Sequence, residues 1–136
     1  MRGDVVPDAV TVENRRSILV VDDEPHIRRV LEMALSSKGY DVITAPNGIE
    51  GLQEIQQDHV DLVILDLMMP VAGGLEILSR IRANPIHSET PVIILTGKGQ
   101  DADRECALAG GANDFITKPF SPKKLIARIE DILRDA

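Results

Sequence analysis

The chain has 136 residues, and its 22 acidic against 15 basic side chains give a net charge of −7: long enough for one core without staples, too acidic for a nucleic-acid stripe. Tyr40, Phe115 and Phe120 supply its only aromatic rings, which excludes a base-stacking platform, and no run is apolar enough to cross a membrane or direct secretion. Cys106 is the lone cysteine, so a disulfide framework is excluded; it reads as a small packing residue in a protein of the reducing cytoplasm.

Residues 1–16 carry one proline, scattered valines and balanced charge, and are expected to form a flexible extension ahead of a folded domain over 17–136. Apolar runs then recur as ILVVD at 18–22, DVITA at 41–45, DLVILD at 61–66, PVIIL at 91–95 and DFITK at 114–118, each predicted as a strand. Helical spacing follows every run. It is carried first by Ile27, Val30, Leu31, Ala34 and Leu35, and then by a thinner stripe of Ile49, Leu52 and Ile55 over 47–57. Leu75, Leu78 and Ile81 form the third stripe. A segment of alanine and charge over 100–109, stopped by Gly110-Gly111, is the fourth, and Leu125, Ile129, Ile132 and Leu133 make the last. Alternating elements with near-continuous apolar strands predict an α/β domain, a (βα)5 doubly wound three-layer fold on a parallel sheet. These patterns leave the strand order open.

Polar residues fall at the ends of these runs. Asp22 and Asp23 close the first, Asp66 the third, Thr96 follows the fourth and Lys118 closes the fifth. In a parallel sheet such ends share one edge, outside which ligands bind. Carboxylates gathered there repel one another unless a hard divalent cation sits among them. Magnesium fits the set, because zinc prefers His or Cys and the histidines are scattered. Lys118 adds a fixed positive charge, Thr96 a hydroxyl donor, and the backbone amides after Asp66 and Thr96 further donors, the groups that a transferring phosphoryl requires. Asp66, on a central strand, is the expected nucleophile for an acyl phosphate.

The stretches VVDDEP, LDLMMP, ILTG and TKPF, in that order and spacing, resemble the receiver domain of two-component response regulators, and the likeness runs from Ile18 to Leu133. It implies a chemotaxis-regulator-like, flavodoxin-like five-stranded sheet of order 2-1-3-4-5. It also implies that Asp66 accepts a phosphoryl group from a sensor histidine kinase or histidine phosphotransfer protein. Asp23, Asp66 and the Met68 backbone carbonyl would bind magnesium directly, with Asp22 acting through a metal-bound water. Thr96 would hydrogen-bond the phosphoryl oxygens, Lys118 would pair with them, and Phe115 would turn inward as Thr96 moves. Met68 and Lys98 would tune the lifetime of the acyl phosphate, and the peptide between Lys118 and Pro119 would be cis. The expected result is a switch in the face made by the fourth helix, fifth strand and fifth helix. That face would control an effector protein or effector domain, in a protein that catalyses only its own phosphorylation and slow dephosphorylation.

Some positions depart from that pattern. Phe115 stands where tyrosine is frequent, and Val71-Ala72-Gly73-Gly74 replaces a more regular loop, so a looser loop is expected. The last segment resembles receivers that pair through the fourth helix, fifth strand and fifth helix. Asp114 and Arg128 match one cross-dimer ion pair there, whereas Arg104 and Lys124 place like charges together and weaken such a dimer. Both a monomer and a phosphorylation-dependent dimer follow from this.

Plainer readings exist for each motif. Asp22-Asp23-Glu24 alone could be a solvated loop and Lys118 a surface lysine, until Asp66 and Thr96 fall on the same edge. His26, His59 and His87 read as solvated or loop residues outside the site, and Gly97-Lys98-Gly99 is too short for a P-loop. Two rival functions are an aspartyl phosphatase, which would want an acid where Met68 stands, and an unreactive protein-binding module. A third reading makes the chain the regulatory half of a longer factor.

Overall fold

A computed structural model describes residues 15–57, 59–70, 72–97 and 101–134. Along them the elements are β1 (Ser17–Val21), α1 (Pro25–Ser36), β2 (Asp41–Ala45), α2 (Gly48–Gln57) and β3 (Leu62–Leu65), then α3 (Gly74–Ala83), β4 (Val92–Thr96), α4 (Asp101–Ala109), β5 (Asp114–Thr117) and α5 (Pro122–Arg134). The strands form one parallel sheet in the order β2-β1-β3-β4-β5.

Strand side chains alternate between faces, and here the alternation builds two cores. Ile18, Val20, Leu62, Ile64, Ile93 and Leu95 pack beneath Leu31 and Leu35 of α1 and Leu125 and Ile129 of α5. Leu19, Val21, Val63, Leu65, Val92 and Ile94 face the other way, against Ile55, Ile77, Leu78, Ile81 and Ala107. With apolar residues needed on both faces, the inner strands read as unbroken hydrophobic runs. β3 and β4 are buried along their whole length.

Differences from the sequence reading sit mainly at element ends. Asn47, expected inside the second helix, is its cap: its Oδ1 accepts from Glu50 N at 2.9 Å and its Nδ2 donates to Glu50 Oε2 at 2.9 Å. Cys106 is exposed on α4, not a packing residue, because Ala107 is the one buried side chain among those described for that helix. His87 lies in a turn outside the site, as expected, but is buried there; its Nδ1 meets Thr90 Oγ1 at 2.9 Å and its Nε2 meets the Ile55 carbonyl at 3.2 Å. Within the chain, Arg128 Nε donates to Asp114 Oδ2 at 2.6 Å. The flexible extension expected over 1–16 falls, save for Arg15 and Arg16, outside the described residues. Among those described, no helix is long and apolar enough to cross a membrane.

Arg82 organises the sheet end remote from the acidic residues. Its guanidinium donates to the carbonyls of Thr90 (2.7 Å), His87 (3.2 Å) and Gly111 (2.8 Å), and to Asn113 Oδ1 (3.2 Å), tying the end of α3 to the loops before β4 and β5. Gly111 has φ +107°, and a side chain there would press on Arg82, so the glycine both ends α4 and admits the arginine. An ammonium cannot fill that planar fork. Arg82→Lys is therefore expected to lower stability by about 1 to 2 kcal/mol in urea unfolding, with an unchanged denaturant slope.

Candidate functional site

The parallel ladder continues one residue past the strands and fixes what stands there. Asp22 N donates to Ala45 O at 3.1 Å, Asp66 N to Val21 O at 2.9 Å and Lys118 N to Thr96 O at 2.8 Å. Three functional side chains thus leave from backbone that is held by the sheet itself, with Thr96 closing β4 beside them. Asp22 and Asp66 are buried at 2% and 4% exposure, and Thr96 is wholly enclosed.

Carboxylate oxygens of Asp22, Asp23, Glu24 and Asp66 all lie within 4.8 Å of one another. Lys118 Nζ reaches into this group, at 2.6 Å from Glu24 Oε1, 2.9 Å from Asp22 Oδ2 and 3.6 Å from Asp66 Oδ2. The Lys118–Pro119 peptide is cis. Met68 donates its amide to Asp66 Oδ1 at 3.2 Å while its side chain points to solvent, 55% exposed. Phe115 is buried on β5, with the Arg104 guanidinium 6.0 Å from its ring centre. Phe115, expected to turn inward as Thr96 moves, is thus already shielded from solvent in this structure. Lys98 lies outside the described residues.

Charge balance explains what this pocket can hold. Burial and the neighbouring Asp22 charge push the Asp66 carboxyl up to about 6, against the opposing pull of Lys118 and the Met68 amide. Asp22 is also raised, by burial, although the Glu24 amide and Lys118 resist the change. Burial works against the Lys118 charge, but Glu24 and Asp22 more than offset it and the ammonium is pushed up to about 12. Among the described residues one lysine thus faces four acids and leaves them under-neutralised. An all-oxygen donor set with surplus negative charge suits a hard divalent cation.

The β3–α3 loop is tighter than its sequence suggests. Gly74 N donates to Leu67 O at 2.9 Å, and a Cβ on Gly74 would stand 2.5 Å from the Asp66 carbonyl oxygen. Ala72 is buried in the same turn, and Val71 lies outside the described residues. Gly74 thus permits close approach of α3 to the residue that carries the central carboxylate.

Sequence reasoning had located Asp22, Asp23, Asp66, Thr96 and Lys118, and the structure brings these to one edge. Glu24 was part of the acidic run but had no assigned role, and nothing local marks its reach to Lys118, 94 residues away.

Comparison with known proteins agrees with this geometry. Residues 18–130 match the family described as the response regulator receiver domain. The probable transcriptional regulator ycf27 of Cyanophora paradoxa is 49% identical over 121 residues, covering 89% of this chain and 49% of the relative. The transcriptional regulatory protein ResD of Bacillus subtilis is 42% identical over 123 residues, covering 90% and 50%. The chain thus spans about half the length of these curated relatives. In structure, chemotaxis protein CheY4 of Vibrio cholerae superposes with a TM-score of 0.83 at 32% identity, covering 86% of this chain and 98% of that one. With the family match over most of its length, a five-stranded parallel sheet in the order 2-1-3-4-5 and acids gathered at its carboxyl edge, the chain belongs to the response regulator receiver domains.

Proposed function

We propose that the chain is a magnesium-dependent phosphoacceptor switch with Asp66 as the acceptor, its receiver unit running from residue 17. The observation that carries this reading is a buried strand-end carboxylate, 3.6 Å from a lysine ammonium and grouped with three further acids. A carboxylate oxygen of Asp66 forms the new O–P bond. The P–N bond of a phosphohistidine breaks, and its electron pair returns to the imidazole of a sensor histidine kinase or phosphotransfer protein.

Asp22, Asp23 and Asp66, with the Met68 carbonyl, would hold the magnesium ion. When bound, it neutralises charge shared between the carboxylates and the phosphoryl oxygens. Lys118 orients and balances the incoming oxygens, and Thr96 offers a hydroxyl to one of them. Met68 and Lys98 stand two residues beyond Asp66 and Thr96, where they would limit access of the hydrolytic water. Only self-phosphorylation and slow self-dephosphorylation are catalysed. Met68 in place of an acid disfavours turnover of phosphate esters as an enzyme.

Modification would shift a two-state equilibrium through Thr96 and Phe115 to the face of α4, β5 and α5. The relatives named as transcriptional regulators support an output on transcription. The unit would act in the cytoplasm through an effector domain or protein, as a monomer or a phosphorylation-dependent dimer. Nucleic acid would not be contacted by this unit.

Intact mass after incubation with acetyl phosphate and magnesium tests the reading. The wild type is expected to gain one phosphoryl group, lost on chelation, and Asp66→Asn none. A gain that survives in Asp66→Asn would assign the acceptor elsewhere.

A further inference from the structure

Lys118 makes its shortest contact with the wrong acid for phosphoryl chemistry. Its Nζ lies 2.6 Å from Glu24 Oε1, at the mouth of the pocket, and only 3.6 Å from Asp66 Oδ2, beyond hydrogen-bonding distance. Glu24 is suited to hold it there. Its backbone is anchored at the start of α1, with the amide donating to Asp22 Oδ1 at 2.9 Å, the carbonyl accepting from Arg28 N at 3.1 Å, and Pro25 next in the chain. At this cap position Ser, Thr, Asp or Asn would bond back to the helix, yet the Glu24 side chain makes no such bond. Its carboxylate instead spans to the residue after β5.

We propose that Glu24 is a positioning residue that holds Lys118 back from Asp66 in the unmodified protein and releases it to an arriving phosphoryl group. This rests on the acceptor reading above. Glu24 then works as a brake on charging: its carboxylate occupies the ammonium that the phosphoryl oxygens need, and adds a negative charge where a dianionic donor enters. A pair with one partner more than half exposed is weak enough to exchange. The brake is accordingly modest.

The test uses the whole chain and two readouts. In metal-free protein, the 15N resonance of Lys118 Nζ is expected to move in Glu24→Gln, and in Glu24→Asp, whose shorter arm falls short of the ammonium. At saturating magnesium, both variants should gain phosphoryl groups from acetyl phosphate about threefold to tenfold faster than wild type. An unmoved Lys118 resonance overturns the pairing. A moved resonance with an equal or slower rate overturns the brake. A wild type that gains no phosphoryl group removes the acceptor reading itself, and this proposal with it.

Discussion

Asp66→Asn is expected to stabilise the metal-free chain by about 2 to 3 kcal/mol at pH 7.5, seen as a higher urea midpoint with the same slope. The folded protein holds the Asp66 proton at about 6, above the ordinary carboxylate value of 3.8 that the unfolded chain retains. Between those values the native state binds the proton more tightly than the unfolded one. The stability this confers is complete below about pH 4 and is lost as pH rises through about 6, leaving an ionised, buried carboxylate beside Asp22 at neutral pH. Asparagine keeps the shape and never ionises, so the two proteins should match near pH 4 and diverge above it. Loss of the 3.6 Å contact with Lys118 trims the gain. Magnesium should close the gap by stabilising the wild type alone. Equal midpoints at pH 7.5, or a less stable variant, would mean that the pocket already neutralises its acids.

That stored repulsion also explains which parts of the molecule could be read from the chain. Buried strands such as LVIL and VIILT must be apolar on both faces, so the sheet announced itself as continuous hydrophobic runs. Asp22, Asp66 and Lys118 break those runs at their ends, and a polar residue ending a buried strand has few explanations other than a site. Strand order was legible only by resemblance, since hydrophobic period carries no information about which strands are neighbours. Glu24, Arg82 and His87 escaped for a related reason. Each is a common polar residue in an unremarkable local context, and its partner lies far along the chain: Lys118 for Glu24, Gly111 for Arg82, Ile55 for His87. Cys106 is exposed because its helix buries so little that an apolar residue there need not pack.

Lys118→Met should separate the two duties proposed for the pocket, metal binding and phosphoryl acceptance, by moving them in opposite directions. The ammonium is the one cation with ion pairs to these acids among the described residues, and it touches Asp22 and Glu24 while standing off Asp66. Its removal leaves every carboxylate less neutralised, which should tighten a divalent cation severalfold in an NMR titration, since the metal no longer competes with a resident charge. Phosphorylation by acetyl phosphate should nevertheless slow by about a hundredfold or more, the usual scale for deleting a charge that faces developing negative oxygens. Lys118→Arg should not restore it, because a planar fork on a longer arm cannot take the place of a compact ammonium wedged between three carboxylates. The metal-free variant should also be less stable at neutral pH and recover as pH falls through about 6, where protonation of Asp66 removes part of the unpaired charge, burial raising Asp22 in the same direction. If metal affinity and phosphorylation fell together, Lys118 would be holding the loops in place and not balancing charge. The opposite responses are what its position, touching Asp22 and Glu24 and standing off the proposed acceptor Asp66, demands.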